Sequence, residues 1–382
     1  MSEVKAQCNR DGSITILDGK TVKAPREASF ELLRIVAMLM IVTVHYLSKG
    51  GVLADMTRQE AFSGADYAAW FVEALCMGCV DLYILISGYH GCMSQKFKVS
   101  KTLKLWGITI LYSVGITVVC GLIGVLQIGG ASVSLGDLSI YQWLNVVFPV
   151  TTEEYWFITA YIIASLFIPF INAGVSKLTK KQFQWILILL VIILSVAKSV
   201  LPISVPYDKC GYDTVWFLCL YVMGAYIRLH GFPLIGKKWL SLACYFGFAA
   251  LSFGASMLVR MVYLANGSLV TYLERNPFYQ LNFIGMLGAA VSLFCFFASI
   301  HIKGQVVSKI ILQISGCTLG VYLIHEQLYF KYMWSSWCGA SGVAGTWAFI
   351  PNMLLTVLAV FAGCCVIDFI RGSVAKAIFR KR

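Results

Sequence analysis

Phe30 to Ser48 reads FELLRIVAMLMIVTVHYLS. The run is apolar at nearly every position, with one Glu, one Arg and one His inside it. A hydrocarbon core of ~30 Å takes about 20 helical residues to cross, so this stretch reads as a membrane span. Working outward, nine more runs of the same kind follow, at 69–92, 105–128, 155–173, 183–201, 212–229, 239–262, 278–301, 310–333 and 347–370. With 30–48 they make ten spans, and the fold class they imply is all-α, a polytopic membrane helix bundle. The second boundary is the loosest: residues 67–78 also fit an interfacial helix, with the span proper starting near Cys79. Composition agrees. Of 382 residues 59% are hydrophobic and 13% charged, where a soluble domain carries about a quarter charged. Charge this scarce cannot coat a water-facing surface, which excludes a soluble globule, a disordered chain and a nucleic-acid-binding domain.

The net charge of +12 is explained by topology. Lys and Arg concentrate in short cytoplasmic loops. With the N-terminus inside, the inner side holds Lys96, Lys98, Lys101, Lys104, Lys177, Lys180, Lys181, Arg228, Lys237, Lys238, Lys303, Lys309, Arg371, Lys376, Arg380, Lys381 and Arg382. The outer side holds Lys49, Arg58, Lys198, Lys209, Arg260, Arg275 and Lys331. Seventeen against seven supports ten spans with both termini cytoplasmic. The expected organisation is a polar arm over 1–29 (Lys5, Arg10, Lys20, Lys23, Arg26) with no secretory signal, a membrane domain over 30–370 and a basic tail over 371–382. Of thirteen cysteines, Cys76, Cys79, Cys364 and Cys365 lie in apolar runs and read as small buried hydrophobes rather than metal ligands. Cys210 and Cys338 fall in outer loops, where a disulfide is compatible but not inferable.

Ionisable groups inside a bilayer are expensive, so each is a functional candidate. Arg34 and His45 are eleven positions apart, which is ~16 Å of rise and roughly three turns plus ~20° on a helix. They share a face, Arg34 towards the cytoplasm and His45 towards the outside. Arg34 suits anionic oxygens and His45 can exchange a proton; the structural alternatives are snorkelling and a packed imidazole. Asp81, in the run Val80 to Tyr89, needs a partner, and His45 is a candidate that it would orient. Ser87-Gly88 allows close helix approach, and Glu73 is a weaker acid candidate. Lys101 and Lys104 face one way at the mouth of the third span, as a phosphate clamp with Arg34 or as positive-inside anchors. Glu153, Glu154, Tyr155 and Trp156 open the fourth span, as a sugar-hydroxyl site or as an aromatic belt. His325 and Glu326 lie in the outer half of the ninth span, where a packed His competes with a catalytic one.

Several of these segments together resemble the acyltransferase 3 family of integral-membrane acyltransferases. Glu31 to Met38 followed by His45 is similar to its Arg-x10-His first helix, and Val80 to Tyr89 to its Val-Asp-Leu-Phe-Phe-x-x-Ser-Gly-Phe segment. Tyr155 to Pro169 and Leu319 to His325 resemble its fourth-helix and late-helix signatures. The likeness runs from about residue 27 to 370. It implies transfer of an acyl group, usually acetyl, from cytoplasmic acyl-CoA to a hydroxyl of an extracytoplasmic or lipid-linked glycan, with no metal. By position it gives His45 and Asp81 the catalytic roles. It gives Arg34, Lys101 and Lys104 the donor; the residues themselves add Ser87 as a donor-site candidate and Glu153, Tyr155, Trp156 and His325 as acceptor-site candidates. Lys101 and Lys104 stand where many members have Arg-x-x-Arg, so bidentate phosphate geometry is lost there. The expected location is a cell membrane, the bacterial cytoplasmic membrane in particular. The competing reading is a transporter of a small polar solute, or an exporter of an acylated product, for which paired broken helices would speak.

Overall fold

The computed structural model describes residues 26–94, 99–201 and 209–379, together with the backbone of β1 (Gln7–Cys8), β2 (Ser13–Thr15) and β3 (Thr21–Lys23). These three strands pair antiparallel in sequence order. Lys5, Arg10, Lys20, Lys96, Lys98, Arg380, Lys381 and Arg382, and the side chain of Lys23, lie outside the described residues.

The helices run α1 (Ala28–Lys49), α2 (Gly64–Cys76), α3 (Cys79–Gly91), α4 (Val99–Leu122), α5 (Ile140–Val147), α6 (Trp156–Val175), α7 (Lys180–Val191) and α8 (Ala197–Val200). They continue with α9 (Thr214–His230), α10 (Lys238–Asn266), α11 (Val270–Arg275), α12 (Ile284–Ala298), α13 (Gln305–Ser315), α14 (Thr318–His325), α15 (Phe330–Trp337) and α16 (Phe349–Phe379). Among the described residues nine helical segments are long and apolar enough to span a bilayer, and the shorter apolar α9 brings the crossings to ten. The ten match the ten sequence runs one for one. The outer helices carry the lipid face: α16 turns out Leu355 (71% exposed) and Phe369 (60%), and α10 turns out Trp239 (71%) and Met261 (63%). Water would not tolerate so continuous an apolar surface. Inside, hydroxyls return to their own helix four residues back, as Thr43 to Leu39, Thr109 to Leu105 and Thr117 to Ser113. Polar side chains are thereby satisfied without water.

α1 sits at the centre, packed on α2, α3, α12, α13, α14 and α16. α3 crosses α9 closely, because a Cβ on Gly88 would stand 2.1 Å from the Tyr221 carbonyl oxygen and one on Gly224 would stand 2.4 Å from that of Leu85. The close approach expected at Ser87-Gly88 is there. The second crossing is broken at Met77-Gly78, between α2 and α3, and the two helices together make the span Gly64–Gly91. The ninth is broken too, at Gly316-Cys317 between α13 and α14.

Three boundaries are corrected. The third crossing is Val99–Leu122 rather than 105–128, because the chain turns through Gly129 and Gly130 (φ +59° and +83°) into the hairpin of β4 (Gln127–Ile128) and β5 (Ala131–Ser132). The ninth ends at His325 rather than 333: the Gln327 side-chain oxygen accepts from the amides of Tyr329 (2.9 Å) and Phe330 (3.0 Å) and starts α15 anew. Residues 371–379, read as tail, continue α16. Cys210 and Cys338 are not joined by a disulfide.

Candidate active site

α1 and α14 end side by side, and their last side chains meet. His45 Nδ1 lies 3.0 Å from His325 Nε2 and 3.0 Å from Glu326 Oε1. Lys49, one helical turn past His45 on the same face, donates to the same Glu326 oxygen. The hydrogen bonds fix the tautomers. His325 Nδ1 faces the Val321 carbonyl at 2.6 Å, which only accepts, so Nδ1 carries the proton and Nε2 is the lone pair. His45 must then donate from Nδ1 to His325 and Glu326, which leaves its own Nε2 as a free lone pair. The His45 side chain is 17% exposed and that of Glu326 only 9%. The basic nitrogen is reachable while its partner is nearly sealed.

The end of α14 is held by a full set of donor partners. The last four carbonyls of a helix have no partner within it. Here Tyr322 O accepts from the Glu326 amide (3.1 Å) and Ile324 O from the Gln327 amide (3.2 Å). Leu323 O accepts from the Tyr155 hydroxyl (2.8 Å), and His325 O from the Trp334 indole (3.1 Å). On the other flank a Cβ at Gly320 would meet Asp368 at 2.4 Å, so α16 presses directly on the α14 backbone. His325 and Glu326 are presented by a helix end fixed from several sides.

The structure brings His325 to His45 but separates other expected partners. Asp81 is not paired with His45. It is fully buried at the start of α3 and accepts from the Trp216 indole at 3.0 Å. Trp216 is placed by Asp213, which caps α9 by accepting from the Trp216 amide at 2.8 Å. The other Asp81 oxygen has no hydrogen-bond partner. Tyr155 is buried and pins α14 rather than lining an open surface. Trp156 packs on Tyr212 with centroids 4.6 Å apart, and Glu153 pairs with Lys209 at 2.6 Å in an ion pair more than half exposed on both sides. Glu154 stands 4.0 Å from Lys331.

At the other end of α1, Arg34 bonds Glu31, whose carboxylate also takes the Ser315 hydroxyl beside the α13–α14 break. Arg26 lies 3.9 Å from the same carboxylate. Tyr83 donates to the Arg34 carbonyl at 2.7 Å. Lys101 and Lys104 are exposed on the first turns of α4, which packs on α5 and α14. The Ser87 hydroxyl returns to Tyr83 O at 2.9 Å. Glu326, Lys49 and Glu31 are the residues that the sequence reading left without a role. Glu326 carried the same signal as Asp81, an acid in or beside an apolar run.

His45, His325 and Glu326 are also the group among the described residues whose donor atoms, all within 4.8 Å of one another, are spaced to hold a metal ion. The Lys49 ammonium already engages the carboxylate oxygen that would face such an ion. Two imidazoles, a carboxylate and a lysine thus meet at one point between the ends of α1 and α14.

The chain matches a family model described as an acyltransferase domain, Acyl_transf_3, over residues 27–369. The chain belongs to the acyltransferase 3 family. No curated protein and no solved structure matches it. As a member of that family it is a multi-pass membrane acyltransferase, and the match spans both the His45 cluster and the Arg34 end.

Proposed function

We propose that this chain moves an acyl group, acetyl in the first instance, from cytoplasmic acyl-CoA to a hydroxyl of an extracytoplasmic or lipid-linked glycan, with His45 as general base. The observation that carries the reading is the His45–Glu326 contact, which leaves Nε2 of a largely sheltered imidazole unprotonated. A carboxylate on one ring nitrogen and a free lone pair on the other is the arrangement that general-base transfer to a carbonyl uses. His45 Nε2 takes the proton of the acceptor hydroxyl as its oxygen attacks the thioester carbonyl. The C–S bond breaks, the ester forms and the proton passes to the leaving thiolate. Glu326 stabilises the imidazolium in between. Arg34, ~16 Å along the same helix, belongs to the donor's phosphates, and the pantetheine arm spans the distance between. Lys101 and Lys104 add positive charge at that mouth. The membrane concerned is a cell membrane with acyl-CoA on its inner side, of which the bacterial cytoplasmic membrane is the example.

Calorimetry of acetyl-CoA binding to the detergent-solubilised protein and to Arg34→Ala, followed by acetyl-CoA turnover with and without His45→Ala, tests the reading. Saturable binding that weakens in Arg34→Ala, and turnover abolished in His45→Ala with binding kept, are the expected results. A folded protein that binds no acetyl-CoA rejects it. The two broken crossings, at Met77-Gly78 and Gly316-Cys317, favour a second reading, a carrier. Solute uptake into proteoliposomes without acyl-CoA turnover is its signature.

A further inference from the structure

At the end of the bundle that holds Arg34, a second guanidinium stands in a different chemical state. Arg34 and Arg26 share the Glu31 carboxylate, and Arg371 is paired with Asp368 at 2.8 Å. Arg228, in the last turn of α9, forms no ion pair with a carboxylate among the described residues. Glu27 is within electrostatic reach only. Its guanidinium lies over the Tyr89 ring, 4.9 Å from the centroid, and donates to the Tyr89 hydroxyl at 3.2 Å. Tyr89 sits against Phe30 (5.0 Å) and His90 (5.1 Å), and Phe30 meets His90 edge-on at 4.9 Å. His90 is exposed at the end of α3, and both Arg34 and Arg228 act on it electrostatically.

Three helices, α1, α3 and α9, thus bring Arg34, His90 and Arg228 together about the Phe30–Tyr89–His90 ring cluster. A guanidinium fixed by an aromatic face keeps its fork geometry and its full charge, and loses less freedom when a planar anion arrives. Arg34, by contrast, must leave Glu31 before it can serve an incoming phosphate. Two lysines on an exposed stretch of α4 offer point charges without that fork.

We propose that Arg228, held on Tyr89 and flanked by His90, is a phosphate-binding residue of the donor site and makes the first contact with the phosphates of the incoming donor. This rests on the acyl-CoA reading given above. A phosphate at a membrane surface has two sources, the donor nucleotide and a lipid headgroup, and the proposal commits to the donor.

The test is calorimetry on the full chain in detergent, with CoA, dephospho-CoA and pantetheine as probes and phosphatidylglycerol as competitor. Arg228→Gln is expected to weaken CoA binding at least tenfold and to leave pantetheine binding unchanged. Arg228→Lys, which keeps charge without the fork, is expected to fall between. Thermal melting of each variant establishes that it is folded; if Arg228→Gln does not fold, Arg228→Lys against wild type carries the comparison. CoA affinity in Arg228→Gln within twofold of wild type overturns the proposal while leaving the acyltransferase reading intact. Wild-type protein that binds no CoA overturns both. Loss of phosphatidylglycerol binding with CoA affinity unchanged assigns Arg228 to lipid and also overturns it.

Discussion

Glu326 holds His45 through Nδ1 at 3.0 Å, across 281 residues of sequence, and His325 shares the same nitrogen from 3.0 Å. A ring held in this way has one tautomer, and the nitrogen left over keeps its lone pair. Glu326→Gln keeps the size of the side chain but removes the charge that stabilises the imidazolium. The turnover rate is expected to drop about 100-fold or more with donor affinity kept within a few-fold, measured as kcat and KM for acetyl-CoA. An unchanged kcat would make the contact structural.

The pH dependence follows from the same nitrogen. His45 acts as base only when neutral, and an imidazole ordinarily titrates near ~6.5. Below its midpoint the active fraction falls tenfold per pH unit, so kcat should rise with pH and then level off. The residual rate of His45→Ala should lack this limb. A wild-type profile with no acid limb at any pH at which the protein stays folded would exclude His45 as the titrating base.

Asp81 behaves differently. Its partner is the Trp216 indole, and it sits at the start of α3 away from the His45 contacts. Asp81→Asn retains an acceptor for Trp216, so its transfer rate should stay within a few-fold of wild type. Asp81→Ala and Trp216→Phe should each lower thermal stability, by roughly 1–3 kcal/mol for the broken buried bond. A 100-fold loss of kcat in Asp81→Asn with melting unchanged would return Asp81 to the chemistry.

Gly88→Ala should be among the most damaging single changes outside the site. The added carbon would stand 2.1 Å from the Tyr221 carbonyl oxygen, where backbone meets backbone. α3 and α9 would have to separate, at a cost of about 1–3 kcal/mol or more. Thermal melting in detergent reads this directly, and Gly107→Ala, with nothing within 4 Å of the added carbon, is the control.

Chelators should leave turnover unchanged, because Lys49 and the His45 Nδ1–H already satisfy the Glu326 carboxylate. Loss of activity in EDTA with recovery on zinc addition would instead make His45, His325 and Glu326 a metal centre.

Much of the fold was legible in the sequence because burial in lipid is a local demand. Each crossing must be apolar over about 20 residues wherever it packs, so hydropathy finds it. Boundaries slipped where the cause was a single side chain, as at Gln327, or a glycine turn, as at Gly129-Gly130. Arg34 and His45 could be placed on one face of α1 because helix periodicity links positions on a single element.

By itself, then, the sequence determined the ten apolar crossings, the shared face of Arg34 and His45, and the family to which the chain belongs. Which acid meets His45 was decided only by tertiary structure. Asp81 and Glu326 carry the same sequence signal, an acid in or beside an apolar run. The packing of α1 between α3 and α14 turns one towards Trp216 and the other onto the imidazole. Hydrogen bonds reach about 3 Å, and no local pattern specifies which of two distant carboxylates will come that close.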